Sequence, residues 1–501
     1  MKRLNHAVFW PPFVLLLVAL VYSLINKEAF LKIVTATNNW ILDHFDNAFN
    51  YTSFTMVLLC IAVYFSPIGK IKIGGANAKP ILNRYRWFSI ILCTTIAVGI
   101  LFWGSAEPIY HINTPPRSLN LNTDADKIGF SMSTVFMHWS FTPYAIYTIP
   151  ALLFALGYYN KKHEFSLSSM LFPITKKTDH KWWGISLNNI CLFALVAGMA
   201  ASLGAGIMSL SGGIATITNT ESSAWLTAII AIVIVASFTL SAATGLLKGI
   251  RILSSVNVAI FIALCILVAT LGPTRELFGY MLSGLKEYLI NFIPHSLSIG
   301  SFSDKEWTHS WTTFYWANWM AWAPITALFL GRISYGYTVR QFVLFNWFIP
   351  SLFGIFWMSI FSGTSIYYQL QGGLDLATTL SSSGPESIIY KVLSVFPLSK
   401  ILVIIFLISM FISYVTAADS NTEAMSGIST EGLSPDSPNP PNYIKYLWGI
   451  VVGAVAWVMI TFSGIDGVKM LSNLGGLPAL FLLMLCCIGV VILLFRSKRL
   501  L

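Results

Sequence analysis

The chain has 501 residues, 56% of them hydrophobic and only 10% charged, against about 25% charged in a typical soluble domain. That is too little charge to cover a water-facing surface, so a soluble globular enzyme is excluded. The formal net charge of +10 does not point to nucleic acid, because its Lys and Arg residues fall in short loops between apolar runs.

In chain order, Met1-Lys2-Arg3 precedes an apolar stretch that contains Pro11 and Pro12 and has no small-residue cleavage site after it. This predicts a first transmembrane helix rather than a cleaved signal. A bilayer-spanning helix needs roughly 20 apolar residues, and twelve spans are predicted on that basis. They lie at 7–26, 51–68, 86–106, 130–158, 184–212, 223–247, 252–272, 308–331, 341–368, 396–418, 443–464 and 472–495. The stretch 276–300, with Lys286 and Glu287 among apolar residues, reads as an amphipathic helix along the membrane surface. Residues 434–442 form a Pro-rich linker.

Charge in the loops sets the orientation. Lys2 and Arg3; Lys70, Lys72, Lys79, Arg84 and Arg86; Lys161, Lys162, Lys176, Lys177 and Lys181; Lys248 and Arg251; Arg332 and Arg340; and Arg496, Lys498 and Arg499 all fall on one side of the twelve-span pattern. The positive-inside rule then puts both termini in the cytoplasm of a cell in whose plasma or inner membrane the chain resides. Cys60, Cys93, Cys191, Cys265, Cys486 and Cys487 sit inside apolar spans and read as small buried hydrophobes, not as disulfides or a metal site.

Two spans are unusual. The third carries Gly99, Gly104 and Glu107-Pro108, and the eighth carries Pro324 after a dense aromatic cluster. Interrupted helices at matching positions of two halves point to a transporter built from inverted repeats, with its site at the breaks. The cluster holds Trp311, Phe314, Tyr315, Trp316, Trp319 and Trp322, of which Trp316, Trp319 and, less well, Trp322 share a helix face. The fourth span adds His138, Trp139, Tyr144 and Tyr147. An aromatic belt at the membrane surface accounts for Trp182, Trp183 and Trp311 at span ends, but less well for Trp319 and Trp322 beside a proline. The sharper reading is a cage. A quaternary ammonium has a positive charge and no hydrogen-bond donor, and aromatic faces bind it at about 2 kcal/mol or more per desolvated contact. Such a cage also avoids burying an acid in the bilayer.

At these residues the sequence resembles the betaine/carnitine/choline transporter family. The resemblance runs through Trp311-Thr312, Tyr315-Trp316 and Trp319, then Leu330, Arg332-Ile333-Ser334, Gly336 and Thr338. It extends over Gly104 to Pro108, Met132 to Trp139, Gly198 to Gly204, Gly245 to Ile250 and Thr416 to Ser420. It implies an all-α membrane protein of the leucine-transporter type, with two inverted five-helix repeats (spans 3–7 and 8–12) after two N-terminal helices. The whole of 1–501 is then one transporter domain: 1–80 the N-terminal spans, 81–272 the first repeat, 273–307 the amphipathic helix and its loop, and 308–501 the second repeat. It also implies a homotrimer, and secondary transport of a betaine-, carnitine- or choline-like solute by alternating access. The alternative within the family is a sodium-independent exchanger or osmosensing carrier with a shifted substrate such as a sulfonium analogue, although the short basic C-terminal stretch offers little room for a sensor.

The resemblance implies a box of Trp139, Tyr144, Tyr147 and Trp319, with Trp322 further along the path; Tyr144 stands where betaine carriers usually have Trp. Gly99 is the one glycine left of a Gly-x-Gly-x-Gly run, and Asn318 replaces a Trp, adding either a polar contact on the path or a partner for a neighbouring backbone group. No cofactor or metal is expected. Sodium-coupled relatives supply a Thr-Ser pair where this chain has Thr416-Ala417, and a second site of Thr side chains where it has Leu195 and Met199. Sodium-independent relatives place an Arg near 254–258, where there is none. Thr416 is thus the one ion-coupling candidate.

Other polar residues are read more plainly. Glu107 is expected to cap or order a loop near the interface, and His138 to pack by a hydrogen bond. Asp419 is expected to pair with Arg332 or Lys248, and Gly204 and Gly206 to allow close helix packing. No nucleophile–base–acid set supports an enzyme, and no phosphate-binding loop supports ATP-driven transport.

Overall fold

The computed structural model describes residues 3–96, 98–175, 181–218, 220, 223–243, 249–433 and 439–500. Lys176, Lys177, Lys248, residues 245–247 of the Gly245 motif and 434–438 of the Pro-rich linker lie outside them.

The architecture is all-helical. α1 (His6–Ile25) and α2 (Lys27–Phe65) turn at Asn26, whose side chain accepts the Ala29 N–H at 3.1 Å. α3 (Arg84–Ile96) and α4 (Gly99–Asn113) meet at a 53° bend, and α5 (Asp124–Trp139) and α6 (Phe141–Ala155) meet at Ser140. α7 (Lys181–Thr218), α8 (Ala224–Ala243), α9 (Gly249–Leu271) and α10 (Thr274–Ser296) complete the first part. The second holds α11 (Lys305–Thr308), a π turn at His309–Thr313, α12 (Phe314–Arg332), α13 (Val339–Val343), α14 (Ile349–Leu370), α15 (Leu376–Ser383), α16 (Ile388–Leu393), α17 (Ser399–Ile428) and α18 (Asn442–Leu500). A two-residue antiparallel clasp joins β1 (Arg3–Leu4) to β2 (Thr430–Glu431), with Arg3 opposite Glu431.

The expected spans differ from these helices in three places. α2 starts at Lys27, not near residue 51, because no Gly or Pro interrupts 27–65 and polar residues alone do not stop a helix. The fourth span divides at Ser140, whose φ −127°, ψ −116° is not helical. The last two spans are the two parts of α18, which separate at Gly464 (φ +53°, ψ −132°), where the expected span 443–464 ends. The eighth span is not interrupted: α12 passes through Pro324 and the irregularity is the π turn before it. α6, α7 and α18 pack around it. Among the described residues nine helices are long and apolar enough to cross a membrane, or ten if α3 and α4 form one broken span. α12 is too rich in aromatic and polar groups to count among them.

α12 is the axle of the molecule, packed on α6, α7, α17 and α18. α14 crosses the α5–α6 junction so closely that a Cβ on Gly354 would lie 2.1 Å from the Trp139 carbonyl oxygen. α10 covers α5 and α14, burying Leu277, Tyr280 and Tyr288 while exposing Leu289, Ile290 and Ile293. Gly204 admits Ile460 of α18 against α7, as expected of a small packing residue; Gly206 makes only ordinary contacts. All six cysteines are buried and unpaired, and Trp182 and Trp183 are largely exposed while Trp311 is buried.

Candidate substrate site

The break at Ser140 builds the site. It ends α5 on Trp139 and frees carbonyl groups that a continuous helix would use. Trp319 of α12 donates its indole N–H to the His138 carbonyl at 3.2 Å, and Trp347 donates to the Phe141 carbonyl at 2.9 Å. Each indole therefore has its polar edge satisfied while its ring packs among other aromatic side chains.

Trp319 is the centre of the resulting group. Its ring lies 5.4 Å from Trp139 at 76°, 5.4 Å from Tyr147 at 70° and 6.2 Å from Tyr144 at 48°. All four rings are buried. The structure thus brings together the four predicted aromatic residues, drawn from α5, α6 and α12. Tyr315 joins them, edge-on to Trp139 at 5.4 Å. The rings touch one another, so admitting a trimethylammonium group requires them to part. Gly99 lies against the group from the α3–α4 bend, and a Cβ there would come within 2.7 Å of Trp139 Cη2.

Two other candidates face elsewhere. Asn318 accepts the Ser472 hydroxyl at 3.0 Å and so faces α18 rather than the box. Trp322 packs on Gly198 of α7, where a Cβ would lie 2.9 Å from its ring. Residues three apart drift by about 60° around a helix. Trp316, Trp319 and Trp322 accordingly face His138, the box and α7, not one common surface.

Glu107 is not an interface cap. It is fully buried between α4, α5 and α12. One carboxylate oxygen accepts His138 Nδ1 at 2.6 Å and His111 Nε2 at 3.0 Å; the other accepts Trp139 Nε1 at 2.7 Å and the Tyr315 hydroxyl at 2.5 Å. The acid is tolerated in an apolar interior because four donors saturate it. It fixes two walls of the box by their polar edges. Glu107, His111 and His138 also offer one ligand atom each within 4.8 Å of one another. Those atoms are all engaged inside the network, which we read as a hydrogen-bonded frame. His138 has the expected packing role, reaching Thr312 Oγ1 at 3.3 Å with its other nitrogen. His111, four residues after Glu107 on the same helix, is the part of this frame that the sequence did not single out; the i, i+4 spacing was the available signal.

At the ion-coupling candidate, Thr416 donates its hydroxyl to backbone carbonyls of its own helix, Ile412 at 2.9 Å and Ser413 at 3.1 Å. Leu195 and Met199 are buried apolar side chains. Asn257 lies in the expected arginine region, and its side chain bridges Ser409 and Ser413 of α17. Asp419 does not pair with Arg332: it accepts the Ser241 hydroxyl, while Arg332 faces Glu423 at 3.9 Å.

The family described as BCCT, betaine/carnitine/choline family transporter, matches residues 7–499. The chain belongs to this family. It is a multi-pass membrane transporter, and a secondary one, not an enzyme. An ectoine/hydroxyectoine transporter of Virgibacillus pantothenticus is 28% identical, over 99% of this chain and 98% of its own. The glycine betaine transporter OpuD of Bacillus subtilis is 29% identical, over 98% and 95%. An osmo-dependent choline transporter of Acinetobacter baylyi is 28% identical, over 99% and 72%. A solved sodium-coupled sialic acid symporter aligns with 91% of the chain, and 96% of its own, at a TM-score of 0.48 and 12% identity, too low a likeness to argue from.

Proposed function

We propose that this family member moves a quaternary-ammonium solute, of the betaine, choline or carnitine type, by alternating access around the aromatic box. The observation that carries the reading is the meeting of three rings, Trp139, Tyr144 and Tyr147, with Trp319, a group of four drawn from three helices. A cation without hydrogen-bond donors gains from such faces what it cannot gain from water. Trp139, Tyr144, Tyr147 and Trp319 hold the ammonium, Gly99 leaves room for Trp139, and Trp322 belongs to the exit path on α7. The two halves, 81–272 and 308–501, rock about the site as inverted repeats, and three copies form the working unit. Both termini face the cytoplasm, as the loop charges direct.

Sodium is not the coupling ion in this reading. Ala417, Leu195 and Met199 have no side-chain oxygen, so Thr416, whose hydroxyl donates to its own helix, is left as a single side-chain oxygen among these positions. Hard cations such as sodium require oxygen ligands.

The test is uptake of labelled glycine betaine, choline, carnitine and ectoine into proteoliposomes, with and without a sodium gradient, beside Trp319→Ala. Uptake of a quaternary ammonium that is indifferent to sodium and lost in the variant supports the reading. Uptake of ectoine alone, or of none of the four, removes the substrate assignment and leaves the family and the fold.

A further inference from the structure

The rings of the box spend their polar edges unevenly. Trp139 gives its N–H and Tyr315 its hydroxyl proton to Glu107, and Trp319 gives its N–H to the His138 carbonyl. Tyr144 lies in hydrogen-bonding reach of the Thr95 side chain. The Thr95 hydroxyl proton is already on the Ile91 carbonyl at 2.8 Å, so what Thr95 offers Tyr144 is an acceptor oxygen. These four edges all donate into the protein. The remaining ring is Tyr147, and among the described residues its hydroxyl makes no hydrogen bond.

Tyr147 is only 2% exposed, on α6, and its ring stands edge-on to Trp319 at 5.4 Å and 70°. More than about nine-tenths of buried polar groups in folded proteins are paired. One left unpaired costs about 1–3 kcal/mol. The exception here sits in the wall of the candidate substrate site, where a bound molecule can supply the missing acceptor. Tyr144, three residues earlier on the same helix, has no such need, because Thr95 supplies its acceptor.

The two ends of the ligand follow. Ring faces hold a cation without any hydrogen bond. A phenol hydroxyl donates a hydrogen bond, and an ionised acceptor makes such a bond roughly twice as strong as a neutral one does. We propose that the Tyr147 hydroxyl donates to an oxygen of the bound solute, and that the box thereby selects a zwitterion, a quaternary ammonium joined by a short carbon link to a carboxylate, over a bare ammonium or an ammonium alcohol. This rests on the box as the substrate site. It separates the candidate solutes: glycine betaine and carnitine carry a carboxylate, whereas choline offers a neutral hydroxyl oxygen. Tyr147 serves both ends, with its face toward the cation and its edge toward the anion.

The experiment is binding of glycine betaine, choline and tetramethylammonium to the purified full chain, by tryptophan fluorescence, in the parent, in Tyr147→Phe and in Tyr144→Phe. Tetramethylammonium has the cationic head and no oxygen. The parent should bind glycine betaine about tenfold more tightly than tetramethylammonium, with choline between them. Tyr147→Phe keeps the ring and removes the hydroxyl, so the three affinities should come within about threefold of one another. Tyr144→Phe should keep the parent's order of preference. Equal losses for all three solutes in Tyr147→Phe, or no binding of any, overturn the inference, because the hydroxyl then supports the box and not the solute. A parent without preference for glycine betaine overturns it too, as does a preference lost in Tyr144→Phe instead; each of these spares the substrate reading. Absence of binding by all three solutes in the parent overturns the substrate reading, and this inference with it.

Discussion

Lys445 Nζ lies 2.6 Å from Glu423 Oε2, and both residues are about 1% exposed. The pair joins α18 to α17, and Lys445 also donates to the Ala242 carbonyl of α8 at 2.6 Å. Breaking a buried pair from one side strands the remaining charge, at a cost of about 3–5 kcal/mol, whereas removing both is often nearly neutral. Lys445→Met leaves Glu423 only the more distant Arg332 at 3.9 Å, so it should lower the melting temperature of the solubilised protein, and Glu423→Gln added to it should restore most of the loss. If the double variant melts no higher than the single one, the charges do not act as a pair.

Trp319 and Trp322 are one turn apart and should fail differently. Losing a cation–π contact of about 2 kcal/mol corresponds to roughly a 30-fold weaker Kd, and Trp319→Ala also removes the ring that the other three touch. Trp322→Ala should leave equilibrium binding within about threefold and slow turnover instead. Binding by fluorescence and initial rates of uptake separate the two effects. Equal losses of binding in both variants would place Trp322 in the box.

Gly99→Ala puts a methyl group 2.7 Å from Trp139 Cη2, and Trp139 is not free to swing away because Glu107 holds its N–H. We expect a tenfold or greater loss of affinity with little change in melting temperature, since the overlap is with a side chain at the bend. Gly354→Ala is the contrast. Its methyl group meets the Trp139 carbonyl, which is backbone, and overpacking of that kind costs about 1–3 kcal/mol or more. Here the melting temperature should fall first.

Thr416→Val keeps the shape and removes the hydroxyl. If sodium plays no part, uptake in the variant should match the parent at every sodium concentration. A sodium requirement in the parent that vanishes in the variant would restore Thr416 as an ion ligand.

The sequence was most informative where chemistry repeats at helical spacing. Trp139, Tyr144, Tyr147 and Trp319 were readable as a group because their ring types and intervals match a known pattern, and the structure brings them together. Asn318 was misread because a residue one position from Trp319 points about 100° away from it. The break at Ser140 was announced by Pro143, which has no N–H for the Trp139 carbonyl and cannot continue a helix through it. Glu107 and Asp419 were read by their distance from the membrane surface. Their actual partners, Tyr315, His138 and Ser241, come from helices far along the chain, and no local pattern encodes such a meeting. The end of α17 was opaque for the same reason: Glu423 lies one turn beyond Asp419, and only the packed helices decide which of the two takes the base.

The clasp between Arg3–Leu4 and Thr430–Glu431 has a consequence in time. Arg3 Nε reaches Glu431 at 2.9 Å, and Asn5 N–H reaches the Ser429 carbonyl at 2.9 Å. α1 is thus tied at its start to residues made more than 420 positions later. During synthesis α1 enters the bilayer with its leading end unfastened, and it stays so until the ribosome has passed residue 431. A chain halted before that point cannot close the clasp, whatever the state of its other helices.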